Sequence, residues 1–242
     1  LLAGLPQAEA APAMQSASDT FEPDVALELI ALPRSVSLRP GRATSVWSYQ
    51  SRVLKGDPVS VQALPDSYLG PILRLRRGQK VRIDFVNRLD QPSTVHWHGL
   101  HVPDTMDGHP RFAIGPGERY RYEFEVRNRA GTYWYHPHPH GHTGEQVYFG
   151  LAGLLLVSDD EEQALPLPRG EYDVPIVIQD RSFDDGNQFR YLSGTGPTAR
   201  GDASGAPSAP GNTMGGRGMM GGMMGRGAMM SGGMGGMMTR MM

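Results

Sequence analysis

The sequence predicts an all-β protein built as a β-sandwich, and three observations lead to this prediction. Short runs of alternating apolar and polar residues recur between residues 24 and 160, as in Val81–Phe85 and Tyr120–Val126. Such period-two runs are typical of strands with one buried face. Turn sequences such as Arg39-Pro40-Gly41 and Gly115-Pro116-Gly117 separate the runs, and no long amphipathic helix pattern interrupts them. Together these features indicate an antiparallel β-sandwich.

Further short strands are predicted where β-branched, aromatic and leucine residues cluster between turn residues. These strands are Val46–Tyr49, Ile72–Leu75, Thr94–His98, Thr132–His136 and Leu154–Ser158.

A second unit is predicted to open near Tyr172 and then to stop. Val174–Ile178 reads as a buried strand that ends before Asp180, and a turn follows over 184–187. Residues 194–213 are rich in Gly, Ser, Pro, Ala and Thr, which predicts disorder. Residues 214–242 consist largely of Met and Gly, a composition that cannot build a core.

Composition excludes several classes of function. The 242 residues include 23 basic and 25 acidic side chains, a balance that argues against a nucleic-acid binder. There is no apolar run of 18 residues, so no membrane span is predicted, and there are no cysteines. Residues 1–18, with a Leu/Ala start and small-residue A-x-A patterns, read as the remnant of an export signal. This predicts a periplasmic or secreted protein.

Two histidine pairs carry the chemistry. All 8 histidines lie between residues 96 and 142, and four of them form His96-Trp97-His98 and His136-Pro137-His138. Because residues i and i+2 of a strand share one face, each pair presents two imidazoles side by side. Two adjacent strands of this kind bring four imidazoles together, and neutral imidazole binds copper, zinc, iron and nickel. Four imidazoles without a carboxylate or thiolate favour copper or zinc.

The stretches around these pairs resemble a known family. They are T-V-H-W-H-G-L-H (94–101), M-D-G (106–108), I-G-P-G-E-R-Y-R-Y-E-F (114–124) and G-T-Y-W-Y-H-P-H-P-H-G-H-T-G-E-Q-V-Y-F-G-L-A-G (131–153). They closely resemble the first cupredoxin domain of multicopper oxidases, in particular bacterial laccase-like and copper-efflux oxidases. Y-D-V-P-I-V-I-Q-D-R-S-F (172–183) is similar to the opening of the second domain.

The resemblance implies a cupredoxin-like Greek-key β-sandwich and a division of the chain. The implied parts are a signal remnant or disordered start (1–23), a first cupredoxin domain (24–165), an incomplete second one (166–193) and a disordered Gly/Met-rich tail (194–242).

Roles for individual residues also follow from the resemblance. His96 matches a ligand of the type 2 copper, and His98, His136 and His138 match ligands of the type 3 copper pair. These coppers form the trinuclear cluster at which such oxidases reduce dioxygen to water. Asp107 matches an acidic residue that assists proton delivery to the cluster, a step for which a carboxyl group near bound water is suited.

The other four histidines are not ligand positions in the family pattern. His101 and His140 are predicted to pack beside the ligands, and His109 and His142 are predicted to lie in loops or on the surface. Pro139 and Gly141 are expected to end the strand that carries His136, so His140 and His142 are not added to its ligand face.

The resemblance implies that this sequence supplies only half of the oxygen-reducing site of such an oxidase and no site at which electrons enter. The type 1 copper of the family needs a cysteine thiolate, and this chain has none. The isolated chain is therefore predicted to be inactive. Its implied partners are dioxygen, a reducing substrate (phenolic, aromatic amine or Cu(I)) and the remaining cupredoxin domains. Three accounts stay open: a fragment of a longer oxidase, one of two separate chains, or a stand-alone copper-binding, copper-tolerance module without enzymatic activity.

The methionine-rich tail is a candidate Cu(I) site. Of 14 methionines, 12 follow residue 213, and thioether sulfur is a soft ligand that prefers Cu(I). The candidate ligands are Met219, Met220, Met223, Met224, Met229, Met230, Met237 and Met238, with a further doublet at Met241 and Met242. A low-complexity tract without function is the alternative.

Other enzyme classes lack support in the sequence. It contains no G-x-x-x-x-G-K-[ST], no G-x-S-x-G and no H-E-x-x-H motif. A zinc hydrolase is disfavoured because catalytic zinc sites often include a carboxylate ligand, and the residues that flank the histidine pairs do not belong to that class.

Overall fold

A computed structural model describes residues 20–65, 67–191 and 194–195 of the chain. Its regular elements follow one another along the sequence and are numbered here in that order. The strands and helices are β1 Val25–Val36, β2 Thr44–Lys55, β3 Val61–Gln62, β4 Ile72–Arg76, β5 Lys80–Asn87, β6 His96–His98, β7 Arg119–Glu125, β8 Gly131–His136, α1 Thr143–Tyr148, β9 Gly153–Ser158, α2 Asp160–Gln163, β10 Arg190–Tyr191 and β11 Gly194–Thr195. Four single-turn 3-10 helices lie at Pro58–Ser60, Asp104–Met106, Pro110–Phe112 and Gly170–Tyr172.

The first nine strands form two sheets, as the sequence predicts for a sandwich. One sheet has four strands in the order β2-β1-β5-β7, and the other has five in the order β3-β4-β9-β8-β6. The inner face of each sheet is apolar because alternate residues point inward. In β5, for example, Val81, Ile83 and Phe85 are fully buried, while Arg82 and Asp84 between them are partly exposed. The described residues therefore form a β-sandwich.

Strand direction differs from the purely antiparallel prediction in two places. β1 pairs with β5 in parallel, and β4 pairs with β9 in parallel. The remaining pairs within the two sheets are antiparallel. An alternating pattern specifies which face of a strand is buried but not the direction of the strand beside it, so the sequence could not reveal these pairs.

The strand predicted over Thr94–His98 is shorter than expected. β6 spans His96–His98 only. The backbone N–H of Val95 donates to the hydroxyl oxygen of Tyr122 at 2.9 Å, so it is not available to a neighbouring strand. The ladder with β8 therefore begins at His96.

The prediction of a buried strand over Val174–Ile178 is wrong for the described residues. This segment has no strand assignment, and the side chains of Val174, Ile176 and Ile178 are 68%, 79% and 91% exposed. An apolar run becomes a buried strand only when a neighbouring strand satisfies its backbone and a second layer covers its side chains. Within the described residues, neither a paired strand nor a covering layer lies there.

The segment that follows returns to the sandwich. Phe189 is 1% exposed and belongs to the same hydrophobic core as Trp47 and Phe149, with ring centroids 6.2 Å from those of Phe149. Gln188 fixes the segment to the start of β2, because its side-chain oxygen accepts from the N–H of Ser45 at 2.8 Å. Residues 182–191 thus pack against the hydrophobic core of the sandwich. The domain boundaries stay predictions.

Truncation of Phe189 tests this packing. We expect Phe189→Ala to lower the free energy of unfolding by about 3 kcal/mol, because large-to-small changes at buried aromatic sites cost about 3–5 kcal/mol. Phe183→Ala is the control: the same change in the same segment at a partly exposed ring should cost less. Urea unfolding followed by tryptophan fluorescence measures both. Equal losses would contradict the placement of Phe189 in the core.

The helices are short, as the absence of a long amphipathic pattern predicts. α1 has 6 residues and α2 has 4. Among the described residues there is no helix with the length and apolar character needed to cross a bilayer. The predicted signal remnant up to residue 19 and the methionine tail lie outside the described residues.

Candidate metal centre

The two histidine pairs meet where β6 lies beside β8. The strands are antiparallel, with His96 opposite His136, Trp97 opposite Tyr135 and His98 opposite Trp134. Because side chains alternate between faces, His96, His98 and His136 all point to the outer face, while Trp97 and Tyr135 point into the core. Both of these aromatic side chains are fully buried. The inner residues therefore anchor the strands, and the outer residues carry the site.

All four predicted ligands come together at this edge of the sheet. The ring centroid of His96 lies 5.5 Å from that of His98, 5.2 Å from that of His136 and 5.5 Å from that of His138. His138 follows the end of β8, and its ring centroid lies 6.3 Å from that of His136. The predicted convergence of four imidazoles on one small volume is thus present.

Three of the four rings already present ligand atoms to a common point. One nitrogen each of His96, His98 and His136 lies within 4.8 Å of the other two. Two imidazole nitrogens bound to one ion at bonds of about 2.0–2.1 Å are about 3–4 Å apart. The three nitrogens therefore face one small volume at a spacing suited to metal ligands. Within the described residues the nitrogens of His138 are not part of this group of three.

Backbone carbonyls fix the orientation of two rings. Nδ1 of His96 lies 2.8 Å from the carbonyl oxygen of Asp107, and Nδ1 of His136 lies 2.8 Å from that of Pro137. A carbonyl oxygen can only accept, so each Nδ1 carries the proton and each Nε2 keeps a free lone pair. Hydrogen bonds of this kind hold metal-binding imidazoles in one tautomer and one orientation.

His136 is held in its neutral form. Burial, reinforced by the neighbouring imidazoles, lowers the pKa of His136 to about 4. Its Nε2 lies 3.1 Å from Nδ1 of His98. A hydrogen bond between these two atoms and their joint binding of a metal ion exclude each other, because both use the Nε2 lone pair. Neutral imidazole is the form that binds metals.

Asp107 lies beside His96, at the end of the 3-10 helix Asp104–Met106. Its Oδ1 is 3.1 Å from Nδ1 of His96, but the proton of that nitrogen points to the carbonyl oxygen of Asp107 itself. Oδ1 is buried and has no hydrogen-bond partner among the described residues. Burial raises the pKa of the Asp107 carboxyl group, and His96 opposes this shift.

Gly108 allows the Asp107 loop to pack directly on the strand that enters the site. Its φ is +67°, a conformation that residues with a side chain rarely adopt. A Cβ added there would lie 2.0 Å from the carbonyl oxygen of Val95. The glycine of M-D-G is therefore required by close backbone approach, which a sequence motif alone does not distinguish from an ordinary turn.

Trp134 is a site residue that sequence analysis missed. Its ring lies on the outer face, with its centroid 4.1 Å from that of His136 and 5.0 Å from that of His98, each tilted by 31°. Alternation along β8 places residue 134 on the face of residue 136, so the signal was present in the sequence. The aromatic ring limits how far these two imidazoles can turn.

The remaining histidines lie outside this group. His109 and His142 are exposed, as predicted. His101 and His140 are also exposed, as are His98 and His138, so a place beside the ligands stays a prediction for them. In the loop that carries His101, the backbone N–H of His101 donates to Oδ1 of Asn128 at 2.8 Å. The candidate methionine ligands lie outside the described residues.

The donor set fits copper. Among the described residues, the clustered ligand atoms are all imidazole nitrogens, which suit copper and zinc. Neither a thiolate nor a carboxylate belongs to this group. The fixed tautomers and the low pKa of His136 keep lone pairs available at neutral pH.

Comparisons with known proteins place the chain beside two groups of relatives. A family profile described as "Multicopper oxidase" matches residues 46–162. The multicopper oxidase mco of Staphylococcus aureus is 45% identical over 129 residues, which cover 53% of this chain and 29% of that protein. The cell division protein FtsP of Xenorhabdus nematophila is 34% identical over 141 residues, covering 57% of this chain and 29% of that protein.

A solved structure shows the same fold. The McoA multicopper oxidase of Aquifex aeolicus superposes with a TM-score of 0.59 at 39% sequence identity, covering 71% of this chain and 36% of that one. The matched part of this chain thus spans about a third of each relative's length. The family profile, the relatives and the superposition agree that the matched part of this chain is similar to a cupredoxin-like domain of multicopper oxidases.

Proposed function

We propose that this chain binds copper through His96, His98, His136 and His138 and supplies half of the ligands of a trinuclear copper cluster. The observation that carries the proposal is the meeting of two H-x-H pairs across adjacent strands, with ring centroids 5.2–6.3 Å apart. His96 is assigned to the type 2 copper and the other three to the type 3 pair. Copper bound there supplies one-electron chemistry with dioxygen.

The residues of this chain contribute ligation, orientation and a proton site. The carbonyl groups of Asp107 and Pro137 hold His96 and His136 in the tautomer that carries the lone pair on Nε2. Asp107 places an unpartnered carboxyl oxygen beside His96, where it can hold or pass a proton needed to form water. The reaction proposed for the complete oxidase is one-electron oxidation of a phenolic, aromatic amine or Cu(I) substrate, coupled to reduction of dioxygen to water, outside the cytoplasm.

A copper-binding module without oxidase activity is the second candidate function. It is favoured by the absence of cysteine from all 242 residues, since the family's type 1 copper needs a thiolate. A relative whose name refers to cell division, FtsP, also matches the chain. A cysteine-bearing H-C-H motif in the DNA beyond codon 242, or in a neighbouring gene, would favour the oxidase. Its absence from both would favour the module.

Metal titration of the full chain tests copper binding. We expect bound Cu(II) to show the electron paramagnetic resonance features of several nitrogen ligands. We also expect no turnover of a laccase substrate, because the chain has no cysteine to form the type 1 copper site that accepts electrons. Cu(II) is the appropriate probe, since the methionine tail prefers Cu(I). A Cu(II) spectrum without nitrogen ligation would overturn the proposed site. Turnover by the isolated chain would overturn the expected inactivity.

A further inference from the structure

Thr94 lies two residues before β6 and is completely buried. Its hydroxyl oxygen is 3.0 Å from the backbone nitrogen of His138 and 3.0 Å from the carbonyl oxygen of Gly108. The directions of both bonds are fixed by chemistry. A backbone N–H can only donate, so the hydroxyl accepts from His138, and its single proton goes to Gly108.

These two bonds join three separate parts of the candidate copper site. The first part is the strand with His96 and His98, the second is the Asp107–Gly108 loop, and the third is the segment after β8 that carries His138. Residue 94 is 44 positions from His138 and 14 from Gly108 along the chain. One hydroxyl group therefore sets the relative positions of segments that the sequence does not bring together.

The hydroxyl of Thr94 is important because the ordinary sheet bonds end there. β8 ends at His136, and Pro137 has no N–H to donate. The N–H of His138 donates instead to the hydroxyl of the buried Thr94. On the other side, Gly108 packs so closely on the strand that no side chain fits. The Thr94 hydroxyl thus bonds to both segments that pack beside β6, the Asp107–Gly108 loop and the segment of His138.

We propose that Thr94 is a positioning residue that holds the His138 segment and the Asp107–Gly108 loop in register with the histidines of β6, and so preorganises the copper site. The inference rests on the proposed copper binding. A group that orients metal ligands typically contributes 10–100-fold to metal affinity. We therefore expect Thr94→Val, which keeps the shape and removes the hydroxyl, to weaken Cu(II) binding of the full chain at least ~10-fold.

The matched variants separate positioning from general packing. Thr94→Ser keeps the hydroxyl and should stay within about 3-fold of the parent affinity, since the orienting bonds remain. Thr44→Val is the control for a buried threonine elsewhere, because Thr44 is also fully buried and its hydroxyl donates to the carbonyl of Asn187 at 2.7 Å. We expect Thr44→Val to lower the melting temperature and to leave Cu(II) affinity and nitrogen ligation unchanged.

A measurement without metal tests the same bond directly. In the parent chain, exchange of the His138 amide proton, followed by nuclear magnetic resonance, should be slow compared with that of exposed Gly141, and it should become fast in Thr94→Val. Fast exchange in the parent chain would overturn the inference even if the valine variant does not fold. So would a valine variant that binds Cu(II) like the parent. Failure of the parent chain to bind Cu(II) would instead overturn the proposed function.

Discussion

His136→Ala is expected to lower the affinity of the full chain for Cu(II) by about 100-fold, which corresponds to about 2.8 kcal/mol. Of the four clustered rings, His136 is the most deeply buried, and its Nε2 is 3.1 Å from Nδ1 of His98. Its tautomer is fixed by the Pro137 carbonyl, and its low pKa keeps it neutral. Removing His136 takes away the ligand whose position, tautomer and neutral form are all fixed before a metal ion binds.

The control for this prediction is His142→Ala. His142 is exposed and follows β8 by six residues, and its Nδ1 lies 3.5 Å from a carboxylate oxygen of Glu145. We expect this variant to bind Cu(II) like the parent chain and to keep the same nitrogen pattern in electron paramagnetic resonance, whereas His136→Ala should lose one nitrogen ligand. Equal affinities for the two variants in isothermal titration calorimetry would show that the cluster is not the copper site.

The sequence predicts the site better than it predicts the sheet around it. Alternation along His96-Trp97-His98 and the burial of Trp97 place both histidines outward without knowledge of any other strand. That His96 lies opposite His136 depends on the pairing of β6 with β8 across 40 positions, which no local pattern records. The family resemblance supplied that pairing, and the structure shows its register.

The features that sequence analysis did not reach have a common physical origin. They depend on which groups meet across long separations in the chain. The parallel pairing of β1 with β5, the return of Phe189 to the core and the two bonds of Thr94 are all of this kind. A threonine before a strand predicts only strand propensity. Its role in the site follows from the two loops that pack against it.

The second large effect, a loss of folding stability, is expected on truncation of Trp97, the core residue between His96 and His98. Trp97 is fully buried, and its ring packs edge-on against that of Tyr122 at 5.3 Å and near those of Phe124 and Tyr135 at 5.6 and 6.0 Å. Tyr122 and Phe124 belong to one sheet and Tyr135 to the other. Trp97→Ala should therefore lower the free energy of unfolding by about 4–5 kcal/mol, the upper part of the range for aromatic-to-alanine changes in cores.

The same change should disturb the metal centre, because β6 has only three residues and Trp97 is the one that anchors it. Trp97→Phe is the informative comparison. It keeps an aromatic ring between the sheets and removes Nε1, which is buried and has no hydrogen-bond partner among the described residues. Removing an unpaired buried donor offsets part of the packing energy that is lost. We therefore expect Trp97→Phe to lower the free energy of unfolding by about 1–2 kcal/mol and to bind Cu(II) almost like the parent chain.

Trp134 provides the counterpart on the other face of the same sheet. It is only partly buried, so Trp134→Ala should cost less stability than Trp97→Ala while still loosening the rings of His98 and His136 that it contacts. Guanidinium unfolding ranks Trp97→Ala, Trp97→Phe and Trp134→Ala by stability, and Cu(II) titration ranks the same variants independently by copper affinity. If Trp134→Ala destabilises the fold more than Trp97→Ala, the assignment of inner and outer faces to β6 and β8 is wrong, and with it the convergence of the four histidines.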